Sequence, residues 1–307
     1  MKNRTLISYL FVSVRGFCMG AADVVPGVSG GTMALILGIY EELIKSIRSF
    51  DAIFVKRLLS FKAREAMSGV SWQFLAALII GIFAAIFSLS RILSWLLENR
   101  PVFIWSFFFG LVLASIFTVG RNLDRWHLGT CVWIALGAIG AYFLVGMVPL
   151  STPDAPWFLL LSGAVAICAM ILPGISGSFI LVLMGKYKFL LDAVNNHNIL
   201  PLILVATGAV VGLSSFVRLL NWLLKKHHDA TMAVLTGLML GALRKVWPWK
   251  VSGATAAQGA GKALIVSQAN TIPAHWSQEV TMALLLAALG FFLVLALNAL
   301  ANKGSSR

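Results

Sequence analysis

Asp23-Val24-Val25-Pro26-Gly27-Val28-Ser29-Gly30-Gly31-Thr32 and Leu172-Pro173-Gly174-Ile175-Ser176-Gly177-Ser178 each cut through a long apolar stretch, the first through residues 5–40 and the second through residues 155–185. Proline removes a helical hydrogen bond and glycine adds backbone freedom, so each stretch reads as two shorter helices around an unwound turn. The arms come to about 15–20 residues, or roughly 22–30 Å at 1.5 Å per residue. Re-entrant hairpins and tight pairs of short crossings both fit that length; the re-entrant form is the preferred reading.

The two broken stretches match each other. Pro26, Gly27, Ser29, Gly30, Gly38 and Tyr40 recur 147 residues later as Pro173, Gly174, Ser176, Gly177, Gly185 and Tyr187. Downstream, Gly81, Ser88, Arg91, Trp95 and Gly110 recur 127 residues later as Gly208, Ser215, Arg218, Trp222 and Gly237, the longer linker at residues 45–70 absorbing the difference. An apolar background supplies chance matches of Leu and Gly, but not two Pro-Gly-x-Ser-Gly turns and an Arg-xxx-Trp-Leu-Leu at fixed offsets. The chain is therefore read as an internal duplication, residues 1–150 and residues 151–307.

Outward from the turns the chain is apolar. Charged residues make up 11% of its 307 residues and the mean hydropathy is +0.90, whereas soluble domains carry roughly 25% charged residues. A soluble globular protein, a disordered chain and a disulfide-stapled secreted fold are all excluded, the last also by a count of only three cysteines. About 20 apolar residues span the hydrocarbon. Stretches free of Asp, Glu, Lys and Arg at 72–90, 101–120, 127–153, 193–217 and 280–302 each read as one crossing, and 230–243, flanked by Trp247 and Trp249, as a sixth. No small-residue cleavage site closes the apolar stretch after Lys2 and Arg4, so no cleavable signal peptide is expected.

The fold class is accordingly an all-α integral membrane protein. Each half holds one broken or re-entrant hairpin (5–44 and 155–190) followed by three transmembrane helices, near 72–97, 101–120 and 127–148 and near 199–224, 230–247 and 278–301. Three crossings are odd, so the second half enters from the opposite side, which makes the topology an inverted repeat. The net charge of +13 fits this better than it fits nucleic-acid binding, because the basic residues sit between apolar runs. Fourteen of them fall on one side, from Lys2 and Arg4 to Arg307, against seven on the other, including Arg100, Lys186 and Lys188. That bias places both termini in the cytoplasm and leaves residues 251–277, rich in Gly, Ala and Ser, outside as a flexible loop.

Unwound backbone survives in a membrane only inside protein or beside a wet cavity. A helix restarting after such a turn points free N–H groups and a positive dipole end at it, which suits an anion. The candidate phosphate contacts are therefore Ser29, Gly30, Gly31 and Thr32 in the first turn and Ser176, Gly177 and Ser178 in the second. Pro26, Gly27, Pro173 and Gly174 form the bends. The bland alternative is that Pro-Gly merely kinks a span; a symmetric pair argues against it. Arg91 and Arg218 occupy equivalent places inside spans, and guanidinium matches phosphate oxygens in a bidentate fork, although snorkelling to an interface also accounts for them. Arg15 is a candidate third phosphate contact or a partner for a carboxylate. Asp23 is a candidate for a proton that couples transport, or else a helix cap. Tyr40 and Tyr187 read as interface anchors, and Lys186 and Lys188 as solvated ends or a lure for an anionic headgroup. Nothing calls for a cofactor or a metal.

Residues 23–32 and 172–178, with a Gly-x-Tyr after each, resemble the bacterial polyprenyl-phosphate (undecaprenyl-phosphate) transporter family, the PopT type, formerly a domain of unknown function. The resemblance covers nearly the whole chain. It implies a bacterial plasma-membrane translocase that returns undecaprenyl phosphate from the outer to the cytoplasmic leaflet, where the lipid serves again as carrier for cell-envelope polymers. Its partners would be the polyprenyl-phosphate lipid and the bilayer, not nucleic acid. The first rival is an enzyme similar to the undecaprenyl-pyrophosphate phosphatases, which also pair inverted re-entrant segments with a Pro-Gly-x-Ser motif. Their pattern continues Ser-Arg-Ser with paired glutamates on the preceding helix. Here Gly30 follows Ser29, Gly177 follows Ser176, and the helix before the first turn has no Glu, so hydrolysis lacks its general acid–base parts. A small-anion channel or exchanger is the other alternative.

Overall fold

A computed structural model of the chain describes residues 6–23, 29–50, 54, 56–57, 60, 62–121, 127–147, 149–150, 152–253 and 267–305. Pro26 and Gly27, the bends assigned to the first turn, lie outside the described residues, as does Val28. The described residues are mostly helical, with turns and short connections between the helices and one two-stranded ribbon among them.

The first helix, α1 (Leu6–Asp23), is followed by two short ones, α2 (Gly30–Ile36) and α3 (Tyr40–Arg48), and after α4 (Ala63–Ser68) by three long ones, α5 (Trp72–Asn99), α6 (Pro101–Arg121) and α7 (Leu128–Gly146). The second run has the same order: α8 (Pro156–Ile171), α9 (Gly177–Leu183), α10 (Tyr187–Asn195), α11 (Ile199–Lys226), α12 (His228–Val246) and α13 (Gln278–Ser305). Equivalent helices match in length: α2 and α9 have 7 residues each, α3 and α10 have 9, and α5 and α11 have 28.

Among the described residues five helices, α5, α6, α7, α11 and α13, are long and apolar enough to cross a membrane. The sixth expected crossing, α12, has 19 residues but carries Asp229, Arg244 and Lys245 and is packed inside the bundle, with Leu235 and Met239 fully enclosed.

Small residues let the helices pair at close range, and the pairings recur. Along α1 and α5, Tyr9 Oη donates to Gln73 Oε1 at 3.0 Å and Ser13 Oγ to the Ala77 carbonyl at 2.9 Å, while Gly16 and Gly20 lie against the carbonyls of Leu78 and Ile82. The contacts ascend together, so the two helices run parallel. α8 and α11 do the same, with Gly163 on Val205, Gly212 on Ala164, and Cys168 Sγ donating to the Gly212 carbonyl at 3.6 Å. Gly81 meets the Ser13 carbonyl and Gly208 meets the Leu160 carbonyl, the same contact at equivalent positions of the two offsets.

The remaining long helices pair crosswise. α6 packs on α13 through Gly110 against Ala287 and Gly290 against Phe107, and α12 packs on α7 through Gly237 against Ile134 and Gly137 against Val234. Gly110 and Gly237 are equivalent, and so are Phe107 and Val234. The last long helix of each run therefore packs against the middle long helix of the other.

Two expectations need correction. The arm after each turn is not one helix of 15–20 residues but two pieces, broken at Gly38 and Gly185, which both have φ +67°. That left-handed conformation closes a helix C-terminus and is open to glycine at little cost. The stretch at residues 251–277 is not loop throughout: β1 (Lys250–Gly253) pairs antiparallel with β2 (Ser267–Asn270), Lys250 opposite Asn270.

Candidate functional site

The two turns touch. The Gly174 N–H donates to Thr32 Oγ1 at 2.8 Å, and Ser29 Oγ lies 3.3 Å from both the Met170 and Leu172 carbonyls. Tyr40 Oη donates to the Ile171 carbonyl at 3.2 Å. Carbonyls left without an intrahelical partner at the end of α8 are thus met by hydroxyls of the other hairpin. Backbone approach is close enough that a Cβ on Gly31 would stand 2.5 Å from the Ile171 oxygen. On the far side Gly174, at φ +88°, lies against α12 at Leu238, Met239 and Ala242. Ser29 and Thr32 are buried, and Tyr40, with 2% of its surface exposed, is a core residue and not an interface anchor.

The two turns differ in what already occupies them. At the first, Asp23 Oδ1 accepts from the Gly30 N–H at 2.6 Å and Ser29 Oγ accepts from the Gly31 N–H at 3.1 Å. The protein's own carboxylate fills the helix start that the sequence marked for a phosphate. At the second, Met170 stands where Asp23 would be, no side chain caps α9, and the hydroxyls of Ser176 and Ser178 lie 2.8 Å from each other. Ser178 is exposed.

The parallel pairing of α1 with α5 and of α8 with α11 carries Arg91 and Arg218 to within roughly two helical turns of the level at which α1 and α8 end. Both side chains are exposed, and neither forms an ion pair with another described residue. Arg15 is half-buried on α1.

Lys186 departs from its expected place as a solvated end. Only 1% of it is exposed. It pairs with Asp154, donates to the Thr152 carbonyl at 3.0 Å, and lies 5.4 Å and 5.6 Å from the ring centres of Phe158 and Phe189. Around it, Leu150 and Thr152 strap the second break: the Leu150 N–H bonds the Leu183 carbonyl at 2.8 Å and Thr152 Oγ1 donates to the Met184 carbonyl at 2.5 Å. The repeat held a signal for this burial, because Lys186 aligns with Ile39, which is fully enclosed.

A family profile described as undecaprenyl phosphate translocase-like matches residues 19–264. The chain belongs to that family. It is 41% identical over 309 residues to a polyprenyl-phosphate transporter of Vibrio cholerae, covering 99% of this chain and the whole of that protein. It is 30% identical over 271 residues to a polyprenyl-phosphate transporter of Staphylococcus aureus, covering 76% of this chain and 85% of that protein. No solved structure matches the chain.

Proposed function

We propose that this translocase-family chain moves undecaprenyl phosphate from the outer to the cytoplasmic leaflet of the bacterial inner membrane, recycling the carrier lipid, and acts as a transporter without hydrolysing it. Membership of the undecaprenyl phosphate translocase-like family carries the reading. Residues 1–150 and 151–307 act as two inverted repeats with both termini cytoplasmic and α12 as a further crossing. What supports the repeat is the equal length of equivalent helices and the recurrence of the same glycine contacts.

In this reading the joined turns are the phosphate station. Ser176, Gly177 and Ser178 offer the open donors. The Gly30 N–H joins them when the Asp23 carboxylate leaves the start of α2, with Ser29, Gly31 and Thr32 beside it, and proton uptake by Asp23 would release it, tying headgroup capture to the proton gradient. The exposure of Arg91 and Arg218 on the outer face of α5 and α11 suits a headgroup arriving sideways from lipid, and half-buried Arg15 on α1 is a further contact. The polyprenyl tail stays in the bilayer.

The deciding experiment reconstitutes the full chain in vesicles loaded on one leaflet with undecaprenyl phosphate and follows both the lipid's sidedness and inorganic phosphate. Movement of intact lipid supports the proposal. Phosphate release without movement would assign the chain to the phosphatase class instead.

A further inference from the structure

Lys245 and Lys250 are two cations held at the outer edge of the second turn with no anion to meet them among the described residues. α12 packs under Gly174 at Leu238–Ala242, and Lys245 follows one helical turn later, its ammonium 5.2 Å from the ring centre of Phe179 in α9. Lys250, the first residue of β1, donates to the Lys245 carbonyl at 2.6 Å and lies 4.3 Å from the ring centre of Trp105. Neither forms an ion pair with a described residue, and residues 254–266, between the strands, contain no Asp or Glu. The neighbouring Arg244 is different: it donates to the Tyr142 carbonyl at 3.0 Å and lies over the Tyr142 ring at 4.3 Å. Burial, and then the charge of Lys245, lower Lys250 to about 8. Two lysines that repel each other in half-buried positions are stabilised by an anion set between them. The aromatic faces position their ammonium groups and leave N–H groups unused.

We infer that Lys245 and Lys250 form a receiving site for a phosphate monoester borne on a lipid, beside Ser176 and Ser178 and ahead of the joined turns. The inference rests on the transporter reading and adds to it the cations the second turn otherwise lacks. The ribbon is then part of the site: pairing of β1 with β2 and the bond from Trp247 Nε1 to the Thr271 carbonyl at 2.8 Å hold Lys250 over α12.

The test uses the full chain in phosphatidylcholine nanodiscs with farnesyl phosphate as probe, and farnesol and inorganic phosphate as controls. In the unaltered protein, amine acylation read by mass spectrometry should show Lys245 and Lys250 protected by farnesyl phosphate and not by farnesol, with exposed Lys188 labelled equally throughout. Lys245→Gln and Lys250→Gln should each weaken binding roughly tenfold, the loss of one charge-assisted hydrogen bond, and the Lys→Arg variants should retain most of it. If farnesyl phosphate binds but leaves both lysines open to acylation, the inference is overturned and the transporter reading stands. If farnesyl phosphate does not bind at all, both fall. Equal protection by inorganic phosphate at the same concentration overturns the lipid assignment.

Discussion

The N–H of Gly174 donates to the hydroxyl of Thr32, 142 residues away, across the meeting point of the two hairpins. Both partners are buried, so loss of the acceptor strands an N–H without water. Thr32→Val, which keeps the shape, should lower stability by about 1–3 kcal/mol, and Thr32→Ser should restore most of it. Thermal unfolding in detergent reads both.

Glycine at position 31 is required by space. A methyl group there collides with the Ile171 carbonyl, a backbone atom that cannot swing aside. Gly31→Ala should cost about 1–3 kcal/mol and suppress transport by parting the turns. Gly140, where a Cβ meets nothing within 4 Å, supplies the control: Gly140→Ala should raise stability by up to about 1 kcal/mol through helix propensity.

Asp23→Asn keeps an oxygen to accept the Gly30 N–H but cannot change charge. Folding should therefore survive while the rate of lipid movement in vesicles loses its dependence on pH. A variant whose pH profile matches that of the unaltered protein would remove Asp23 from any coupling role.

Because Arg91 and Arg218 are exposed and make no ion pair among the described residues, Arg91→Ala and Arg218→Ala should shift stability by no more than about 0.5 kcal/mol. Each should nevertheless weaken binding of farnesyl phosphate about tenfold, one charge-assisted hydrogen bond's share. Titration of nanodisc-embedded protein separates the two effects.

Lys186 and Asp154 should respond unequally. Asp154→Asn leaves an enclosed ammonium with weaker company and should cost about 2 kcal/mol, less than for a fully buried pair because Asp154 is open to solvent. Lys186→Met, which removes the charge and keeps the length, should stay within about 1 kcal/mol of the parent. Denaturation midpoints of the two variants and of their combination check this.

The turns, the offsets between equivalent residues and the long apolar helices were legible in the sequence because each has a local cause: Pro-Gly breaks, repeated spacing, and stretches without charge. The facing of side chains was not. A helix apolar on all sides has no amphipathic stripe to say which way Arg91 or Arg218 points. The second break in each hairpin was visible as Gly38 and Gly185 but read only as a marker of the repeat, since a single glycine is also tolerated inside a helix. Asp23 was legible as a cap; that it occupies the first helix start depends on a hydrogen bond spanning seven residues, which no periodicity encodes.

The crosswise union of α6 with α13 and of α12 with α7 limits how such a carrier can work. The last long helix of each run packs on the other run, so the bundle cannot rock as two blocks hinged at the chain's midpoint without tearing two glycine-lined seams. A rearrangement that spares those two seams is confined to the peripheral couples, α1 with α5 and α8 with α11. A chain severed between residues 150 and 155 would then yield fragments that become stable only when made together.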